Sequence, residues 1–281
     1  VIDPEPEVEN NMKVWKNTST LDGYDEGLIF TEHKDQADIA LLGSKPITLY
    51  QFPNLKGIFR AGIGKDNVPE KEATKKGILV RYPLQETIDS IYNETAVFTC
   101  SLIFRMLYSY VGTIEPWHKY DRSELSKKIL LVFGTGNIGN RVARFMQSFM
   151  HVLTFDIREN DISELSGLIR QADCITLHIP KTDDNKAFMD ENKLAMMKDD
   201  AVLVNTARGA IVDEDALYSE ISSGRLRAAF DVFWQEPYNG KLIEFYPERF
   251  FMSPHIAGYT DSFLIGCRKA LNNLINGLSN V

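Results

Sequence analysis

Three residues with complementary chemistry each follow an apolar run in the second half of the chain. Arg208 comes shortly after AVLVN, Glu236 after RAAFDVF and His255 after RFFMSP. A guanidinium binds a carboxylate at two points and polarises an adjacent keto oxygen. An imidazolium donates a proton to that oxygen and takes it back in the reverse direction, while a neighbouring carboxylate orients the ring and stabilises its charge. The three residue types together predict acid/base chemistry on a small substrate that carries a carboxylate.

Each of these residues taken alone also has an ordinary structural explanation. An arginine at a strand end often lies in water, a single histidine is commonly packed, and a glutamate before a proline is commonly a turn residue. Their joint occurrence changes the interpretation, because the ends of parallel strands meet in one crevice where ligands bind. We therefore treat Arg208, Glu236 and His255 as one candidate catalytic set.

A glycine-rich turn between an apolar run and an amphipathic pattern indicates a dinucleotide site. In ILLVFGTGNIGNRVARF the residues Gly134, Gly136 and Gly139 have GxGxxG spacing, and Asp156 follows the next apolar run. Gly134 allows the tight turn, Gly136 lets the backbone approach a pyrophosphate, and Gly139 lets the helix pack close to the strand. The amides at the start of the following helix then face the diphosphate.

The residue type at position 156 favours NAD over NADP. A carboxylate there accepts hydrogen bonds from the adenosine ribose hydroxyls, and its charge repels a 2′-phosphate. Arg158 keeps NADP open as the second choice, since an arginine at that place could partner the phosphate. The structural alternative for Asp156 is a solvated turn carboxylate.

The elements that must hold these groups are strands and helices in regular alternation. Continuous apolar runs recur along the chain with helical patterns between them, which is typical of parallel strands covered on both faces. Six such runs lie between residue 129 and about residue 253, which matches a complete doubly wound dinucleotide domain. We predict an α/β protein with a Rossmann-type doubly wound parallel sheet domain at residues 93–261. A smaller flavodoxin-like α/β substrate domain is predicted at residues 1–92, completed by residues 262–281.

Two helices follow from the pattern of apolar residues. The stretch TAVFTCSLIFRMLYSYVG predicts a buried helix, because Arg105 interrupts it before the roughly 20 residues that a bilayer span requires. In the helix after the glycine-rich turn, four apolar residues fall on one face, opposite Arg141, Arg144 and Gln147: Ile138, Val142, Phe145 and Phe149.

Composition and charge argue against several classes of protein. The 281 residues carry a formal charge of -8, which repels a phosphate backbone, and no basic cluster offsets it. Cys100, Cys174 and Cys267 are far apart and have no metal-like or CxxC spacing, which favours a reduced, cytoplasmic setting without a metal. The acidic first residues VIDPEPEVENN lack the apolar core of a signal peptide. We expect neither nucleic acid nor a membrane as a partner.

The sequence resembles the D-isomer-specific 2-hydroxyacid dehydrogenase family over nearly its whole length. The resemblance rests on GTGNIG with Asp156, on CITLHIP through NTARGAIVDEDAL, on AAFDVFWQEP and on SPHIAGYT, in that order. It implies substrate binding and catalysis by Arg208, orientation of the histidine by Glu236, and acid/base chemistry by His255. The substrate could be glyoxylate, hydroxypyruvate, pyruvate or 3-phosphohydroxypyruvate, and the physiological direction stays open.

The expected cofactor-binding set extends beyond the glycine-rich turn. His178, at a strand end on the cofactor side, is expected to line the cofactor or to pack rather than to catalyse. The full set is Gly134, Gly136, Asn137, Ile138, Gly139, Asp156, His178, Pro180, Thr206, Ala207, Asp231 and Gly258.

A second glycine-rich turn, in RAGIGKDNVP, offers backbone amides that can bind an anion. The corresponding loop of the family holds the substrate carboxylate, so Gly62, Ile63 and Gly64 are expected to bind substrate; a tight turn without a ligand is the alternative. Arg60 could add a positive charge for a phosphorylated substrate.

The family resemblance also implies a homodimer, whose interface is expected on the apolar helix after Glu94 and the segment around Trp117. It also leaves a second functional class open, a regulatory NAD-binding module like the transcriptional corepressors that share this fold.

Overall fold

The computed structural model describes residues 11–279. The expectation about a signal peptide concerned the acidic first residues, and all but the last of these, residues 1–10, lie outside the described residues. The strands of the described part are β1 (Lys13–Lys16), β2 (Ile29–Phe30), β3 (Ile39–Leu42), β4 (Gly57–Arg60), β5 (Leu79–Arg81), β6 (Gly112–Thr113), β7 (His118–Lys119), β8 (Ile129–Phe133), β9 (His151–Phe155), β10 (Cys174–Leu177), β11 (Val202–Asn205), β12 (Arg227–Phe230) and β13 (Phe250–Met252). The α-helices are α1 (Glu70–Lys75), α2 (Gln85–Leu107), α3 (Asn137–Met146), α4 (Leu165–Gln171), α5 (Glu191–Met196), α6 (Glu214–Ser222) and α7 (Asp261–Ser279).

The chain divides into two compact units. The first runs to Ile91 and resumes at Tyr259, and the second comprises Tyr92–Gly258. The boundaries between the units lie between residues 91 and 92 and between residues 258 and 259. The sequence predicted them between residues 92 and 93 and between residues 261 and 262. The chain passes from one unit to the other twice, and the first passage lies inside α2.

The first unit is a parallel sheet in the order β2-β1-β3-β4-β5, which is the flavodoxin-like arrangement. Alternate residues of β3 supply its two faces: Ile39 and Leu41 pack in the core that includes α7, and Ala40 and Leu42 in the core that includes α1. Strands β1 and β2 are not among the predicted runs, because β1 is only four residues with a lysine at each end and β2 is only two residues long.

The second unit contains six parallel strands in the order β13-β12-β11-β10-β8-β9. Leu130 and Val132 of β8 pack in a core with α2 and α3, whereas Leu131 and Phe133 pack in a core with α4, α5 and α6. Burial on both faces explains the continuous apolar runs. The predicted doubly wound α/β fold is confirmed, with β9 at the edge of the sheet. The strand order reverses between β8 and β10, and the crevice beyond their carboxyl ends is where such a sheet binds ligands.

The apolar face that the sequence pattern gives α3 is buried only in part. Phe145 is 49% exposed, and the helix ends at Met146, before Phe149, which is 43% exposed. Val142 of that face is buried, together with Ala143 and Met146. The two phenylalanines pack against each other, and Phe149 also packs against Phe104.

The apolar stretch around Arg105 is the helix α2, whose Cys100, Ile103 and Met106 are buried. Within residues 11–279, no helix combines the length and the apolar character needed to cross a membrane. The same residues contain no group of three or more potential metal-binding side chains. The three cysteines are unpaired and buried.

Candidate active site

The three predicted catalytic residues follow three adjacent strands. Arg208 comes after β11, Glu236 after β12 and His255 after β13, and these strands are neighbours in the sheet. Because all three strands are parallel, the residues leave the sheet at the same edge. The reason lies in the sequence, since each residue follows an apolar run of the kind that forms a strand buried on both faces.

His255 and Glu236 are in direct contact. The Nδ1 atom of His255 lies 2.9 Å from Oε2 of Glu236 and 3.0 Å from Oε1. Glu236 Oε1 also accepts a hydrogen bond from the Phe233 amide, 3.2 Å away, which holds the carboxylate in place. With Nδ1 engaged by the carboxylate, Nε2 is the ring nitrogen left to face a reactant. His255 is 35% exposed and Glu236 26%, so both are accessible to a small molecule.

Arg208 is held by the turn that follows β11. The buried Asn205 donates from Nδ2 to the Arg208 carbonyl, 2.9 Å away, and accepts from the Ala207 amide at 3.0 Å. Thr206, also buried, exchanges a 2.8 Å hydrogen bond with the Thr99 hydroxyl of α2. The half-buried Arg208 guanidinium donates to the Ala207 carbonyl at 2.8 Å. The turn is therefore tied at both ends to the body of the unit.

Gly209 connects this turn with the segment that carries Glu236. A Cβ atom at position 209 would overlap the backbone carbonyl of Phe233 and come within 2.5 Å of the Trp234 amide nitrogen. Phe233 also donates from its own amide to Glu236. Only glycine permits this approach, so the loops after β11 and β12 pack backbone to backbone.

The loop that carries His255 is held by Asp231, a fully buried residue that directly follows β12. Its carboxylate accepts from the Ser253 hydroxyl at 2.6 Å and from the amides of Ile256 and Ala257 at 2.9 Å each. Burial raises the pKa of Asp231, and these hydrogen bonds oppose that rise. His255 itself has a φ of 57°, in the left-handed region. Such a conformation costs a non-glycine residue about 1 to 3 kcal/mol and persists only where the surroundings impose it.

The glycine-rich turn has the shape expected of an anion site. Gly134 has a φ of 89° and donates to the Phe155 carbonyl at 2.8 Å. A Cβ at Gly139 would overlap the Gly134 carbonyl, so the helix packs directly on the turn. Gly136 is the N-cap residue of α3 and provides no side-chain cap, and nothing lies within 4 Å of where its Cβ would be. The amides at the start of α3 are thus left for an anion, and the residues present fit a diphosphate.

Asp156 lies at the end of β9, next to this turn, and is 7% exposed. It accepts from the Thr135 amide at 2.9 Å and from the Arg158 guanidinium at 2.8 and 2.6 Å. The Arg158 guanidinium holds the pKa of this carboxyl well below its usual range, with smaller help from Thr135 and against the effect of burial. Asp156 is therefore ionised and already engaged by its own chain, a contact that the spacing of the two residues does not predict.

His178 follows β10 and packs on the glycine-rich turn. Its amide donates to the Phe133 carbonyl at 2.7 Å, and its Nε2 lies 3.1 Å from the Thr176 hydroxyl. The His178 carbonyl oxygen would lie 2.7 Å from a Cβ atom added at Gly134, which is too close for any residue but glycine. Burial lowers the pKa of His178 to about 3, so the ring is neutral at physiological pH. A neutral, packed histidine lines the turn.

The other expected cofactor residues lie along the same edge of the second unit. Asn137 is exposed at the start of α3, and Ile138 packs partly against the core beneath that helix. The Pro180 carbonyl accepts from Asn185 Nδ2 at 2.8 Å. Gly258 ends the second unit and is partly exposed.

The second glycine-rich turn lies in the first unit, directly after β4 and Ala61. Gly62 has a φ of 137°, and the side chain of Arg60 folds back against it. Arg60 is 6% exposed, donates from Nε to Asn67 Oδ1 at 3.2 Å, and donates from Nη1 to the Ala61 carbonyl. The arginine considered for a phosphorylated substrate is thus engaged inside this unit.

Comparison with known proteins places these features in one family. A family model described as the NAD binding domain of D-isomer specific 2-hydroxyacid dehydrogenases matches residues 110–257, just over half of the chain. This chain belongs to the D-isomer specific 2-hydroxyacid dehydrogenase family. The match contains the glycine-rich turn, Asp156 and all three strand-end residues. The predictions of an NAD-dependent dehydrogenase and of NAD as the cofactor are confirmed at the level of the family.

Relatives of this dehydrogenase carry the names of reductases and dehydrogenases of small hydroxy acids. Hydroxypyruvate reductase of Thermotoga maritima is 34% identical over 222 residues, which are 74% of this chain and 72% of the relative. Glyoxylate reductase of Aeropyrum pernix is 30% identical over 275 residues, or 88% of this chain and 78% of the relative. Among solved structures, D-lactate dehydrogenase from Aquifex aeolicus, complexed with NAD and lactic acid, matches with a TM-score of 0.78 at 25% identity and covers 95% of each chain.

Some residues that hold this site were not predicted from the dehydrogenase's sequence. Asn205 and Ser253 hold the loops of Arg208 and His255. A signal for Asn205 does exist, because it is a polar residue that ends an otherwise apolar strand. No local pattern distinguishes Ser253, whose partner is Asp231, 22 positions earlier.

Proposed function

We propose that this dehydrogenase interconverts a small 2-oxo acid and its D-2-hydroxy acid, with His255 as the acid/base catalyst. The observation that carries the proposal is the contact between His255 Nδ1 and Glu236, which leaves Nε2 for the reactant. In reduction, protonated His255 donates a proton from Nε2 to the keto oxygen, and in oxidation neutral His255 accepts it from the hydroxyl. Glu236 orients the ring and stabilises its protonated form.

Arg208 binds the substrate in this proposal. Its planar guanidinium offers two parallel donors to a carboxylate and polarises the adjacent keto group. The cofactor, when bound, supplies the hydride that reduces the carbonyl carbon. Gly134, Gly136 and the start of α3 would bind the diphosphate of the cofactor, and Asp156 would accept hydrogen bonds from its adenosine ribose. The amides of Gly62, Ile63 and Gly64 are proposed to bind the substrate carboxylate, which accords with the left-handed φ of Gly62.

The names of the relatives direct the choice of substrate. Glyoxylate and hydroxypyruvate are the first candidates, because glyoxylate reductases and a hydroxypyruvate reductase are among the similar proteins. The test is NADH oxidation with glyoxylate, hydroxypyruvate, pyruvate and 3-phosphohydroxypyruvate, followed by chiral analysis of the product. We expect turnover on the order of 1 per second or faster with one of the first two acids, and the D isomer as product where a stereocentre forms. Absence of turnover with all four acids would contradict the proposal.

His255→Gln tests the acid/base role in the same assay. Loss of the proton donor is expected to lower kcat by roughly 10²- to 10⁴-fold. His151→Gln is the matched control, because His151 is an exposed histidine at the start of β9, at the other end of the strands. Parental turnover in His255→Gln, or an equal loss in both variants, would remove His255 from the chemistry.

We further propose that the dehydrogenase is a cytoplasmic homodimer. Exposed apolar side chains on α2 and on the following segment support the dimer: Val97 is 58% exposed, Ile114 72% and Trp117 75%. The unpaired buried cysteines support a reducing compartment. Light scattering should give about twice the chain mass of 31.9 kDa, and Trp117→Glu should lower it. A monomer at micromolar concentration would contradict the dimer, and recovery outside the cytoplasmic fraction of cells would contradict the location.

A further inference from the structure

The loop from Ser253 to Ala257 holds its histidine in a conformation that the loop does not favour on its own. His255 has a φ of 57°, and its amide donates to the Ser253 carbonyl at 2.9 Å. Histidine enters this left-handed region more readily than most residues, but the cost is still unfavourable. Some contact outside the loop must therefore stabilise this geometry.

Asp231 makes that contact on both sides of His255. Oδ1 accepts from the Ser253 hydroxyl, two residues before the histidine, and from the Ile256 amide, one residue after it. Oδ2 accepts from the Ala257 amide. Asp231 is fully buried, and its own amide donates to the Asn205 carbonyl of β11 at 3.0 Å. Three donors from one loop thus converge on a carboxylate that is anchored in the sheet, and hydrogen bonds to an ionised acceptor are the stronger kind.

We propose that Asp231 is the positioning residue of His255. Its carboxylate holds the 253–257 loop so that the imidazole stays against Glu236 and presents Nε2 to the substrate. This inference rests on the acid/base role proposed for His255, and it gives Asp231 a task distinct from the cofactor contact expected from the sequence. Glu236 is in contact with His255, and Asp231 interacts with the charge of the histidine.

The residue type at position 231 is decisive for this task. A carboxylate is purely an acceptor and satisfies all three donors, whereas an asparagine turns an NH₂ group towards at least one of them. Asp231→Asn therefore leaves a buried donor facing another donor and releases the loop. Ser253→Ala is the milder change, since it removes one hydrogen bond and keeps the carboxylate and its charge.

A double-mutant cycle tests the proposal. We expect Asp231→Asn to lower kcat by about 100-fold, the scale of lost acid/base assistance, while the Kd for NADH measured by fluorescence changes less than about threefold. Added to His255→Gln, the same change should lower kcat by no more than about twofold, because its effect runs through the histidine. Ser253→Ala should lower kcat by about 2- to 10-fold in the parent protein and have no effect beside His255→Gln.

The outcomes separate this inference from the proposed function. If Asp231→Asn weakens NADH binding at least tenfold and lowers kcat by the same factor with or without His255, Asp231 acts on the cofactor and the inference is overturned. If His255→Gln retains parental kcat, the proposed function itself fails. Circular dichroism checks the fold of each variant. If Asp231→Asn does not fold, the decisive comparison is Ser253→Ala in the parent protein and in the His255→Gln variant. An equal loss of kcat in these two proteins would overturn the inference.

Discussion

The guanidinium of Arg158 covers the carboxylate of Asp156 from the solvent side. Nε lies 2.8 Å from Oδ1 and Nη2 lies 2.6 Å from Oδ2, and the arginine is 69% exposed whereas the carboxylate is 8% exposed. A ribose hydroxyl that binds Asp156 must take the place of one of these donors. We therefore expect the two residues to set cofactor preference together, with Asp156 favouring NADH and Arg158 available for a 2′-phosphate.

Asp156→Ala is expected to weaken NADH binding by about 1 to 3 kcal/mol, the usual cost of hydrogen-bonding groups left unmatched. NADPH binding should weaken less or improve, because the variant releases Arg158. Arg158→Ala is the matched change and should shift preference the opposite way, towards NADH. Fluorescence titration with both nucleotides measures the ratio of the two Kd values. An unchanged ratio in Asp156→Ala would remove Asp156 from the cofactor site.

Glu236→Gln should shift the pH profile of turnover in both directions of the reaction. The substitution keeps the shape of the side chain but removes the negative charge 2.9 Å from His255 Nδ1, so the protonated imidazole is less stable. Reduction needs that protonated form, and its alkaline limb should move to lower pH. Oxidation needs the neutral ring and should extend to lower pH. The measurement is kcat/KM against pH in both directions, and limbs that stay at their parental positions would show that Glu236 does not tune His255.

Gly209→Ala should disturb the loops of Arg208 and Glu236 together. The new Cβ overlaps the Phe233 carbonyl, and forcing an extra methyl group into packed backbone costs about 1 to 3 kcal/mol. A lower Tm and a lower kcat are expected. Gly167→Ala in α4 is the control, since nothing lies within 4 Å of its Cβ and alanine favours a helix by about 0.5 to 1 kcal/mol. A Gly209→Ala variant as stable and active as the control would contradict the close packing.

His178 should make the folded protein sensitive to mild acid. Burial lowers its pKa to about 3 from 6.5, so between these values the unfolded chain binds a proton that the folded chain does not. Stability present above pH 6.5 is then lost as pH falls, by up to about 2 kcal/mol at pH 5. His178→Gln lacks this contribution, and its urea midpoint should fall less between pH 7.5 and 5 than the parental midpoint. Equal falls in both proteins would contradict the burial of a neutral imidazole.

The sequence by itself determined the features that depend on spacing within a short segment. Gly134, Gly136 and Gly139 lie between a strand and a helix, so their conformational requirements are local. The strand-end placement of Arg208 and His255 follows from continuous apolar runs, because burial on both faces demands parallel strands whose carboxyl ends share one edge.

The tertiary structure alone decided the features that join distant segments. Asp231 meets Ser253, 22 positions later, and Thr99 meets Thr206, 107 positions later, and no local pattern encodes either pair. The exposure of Phe145, beside the buried Ala143 and Met146, was likewise settled only by the tertiary structure. Hydrogen bonds and packing are satisfied across the whole unit, so the pairing of a buried polar group is fixed only once all its neighbours are in place.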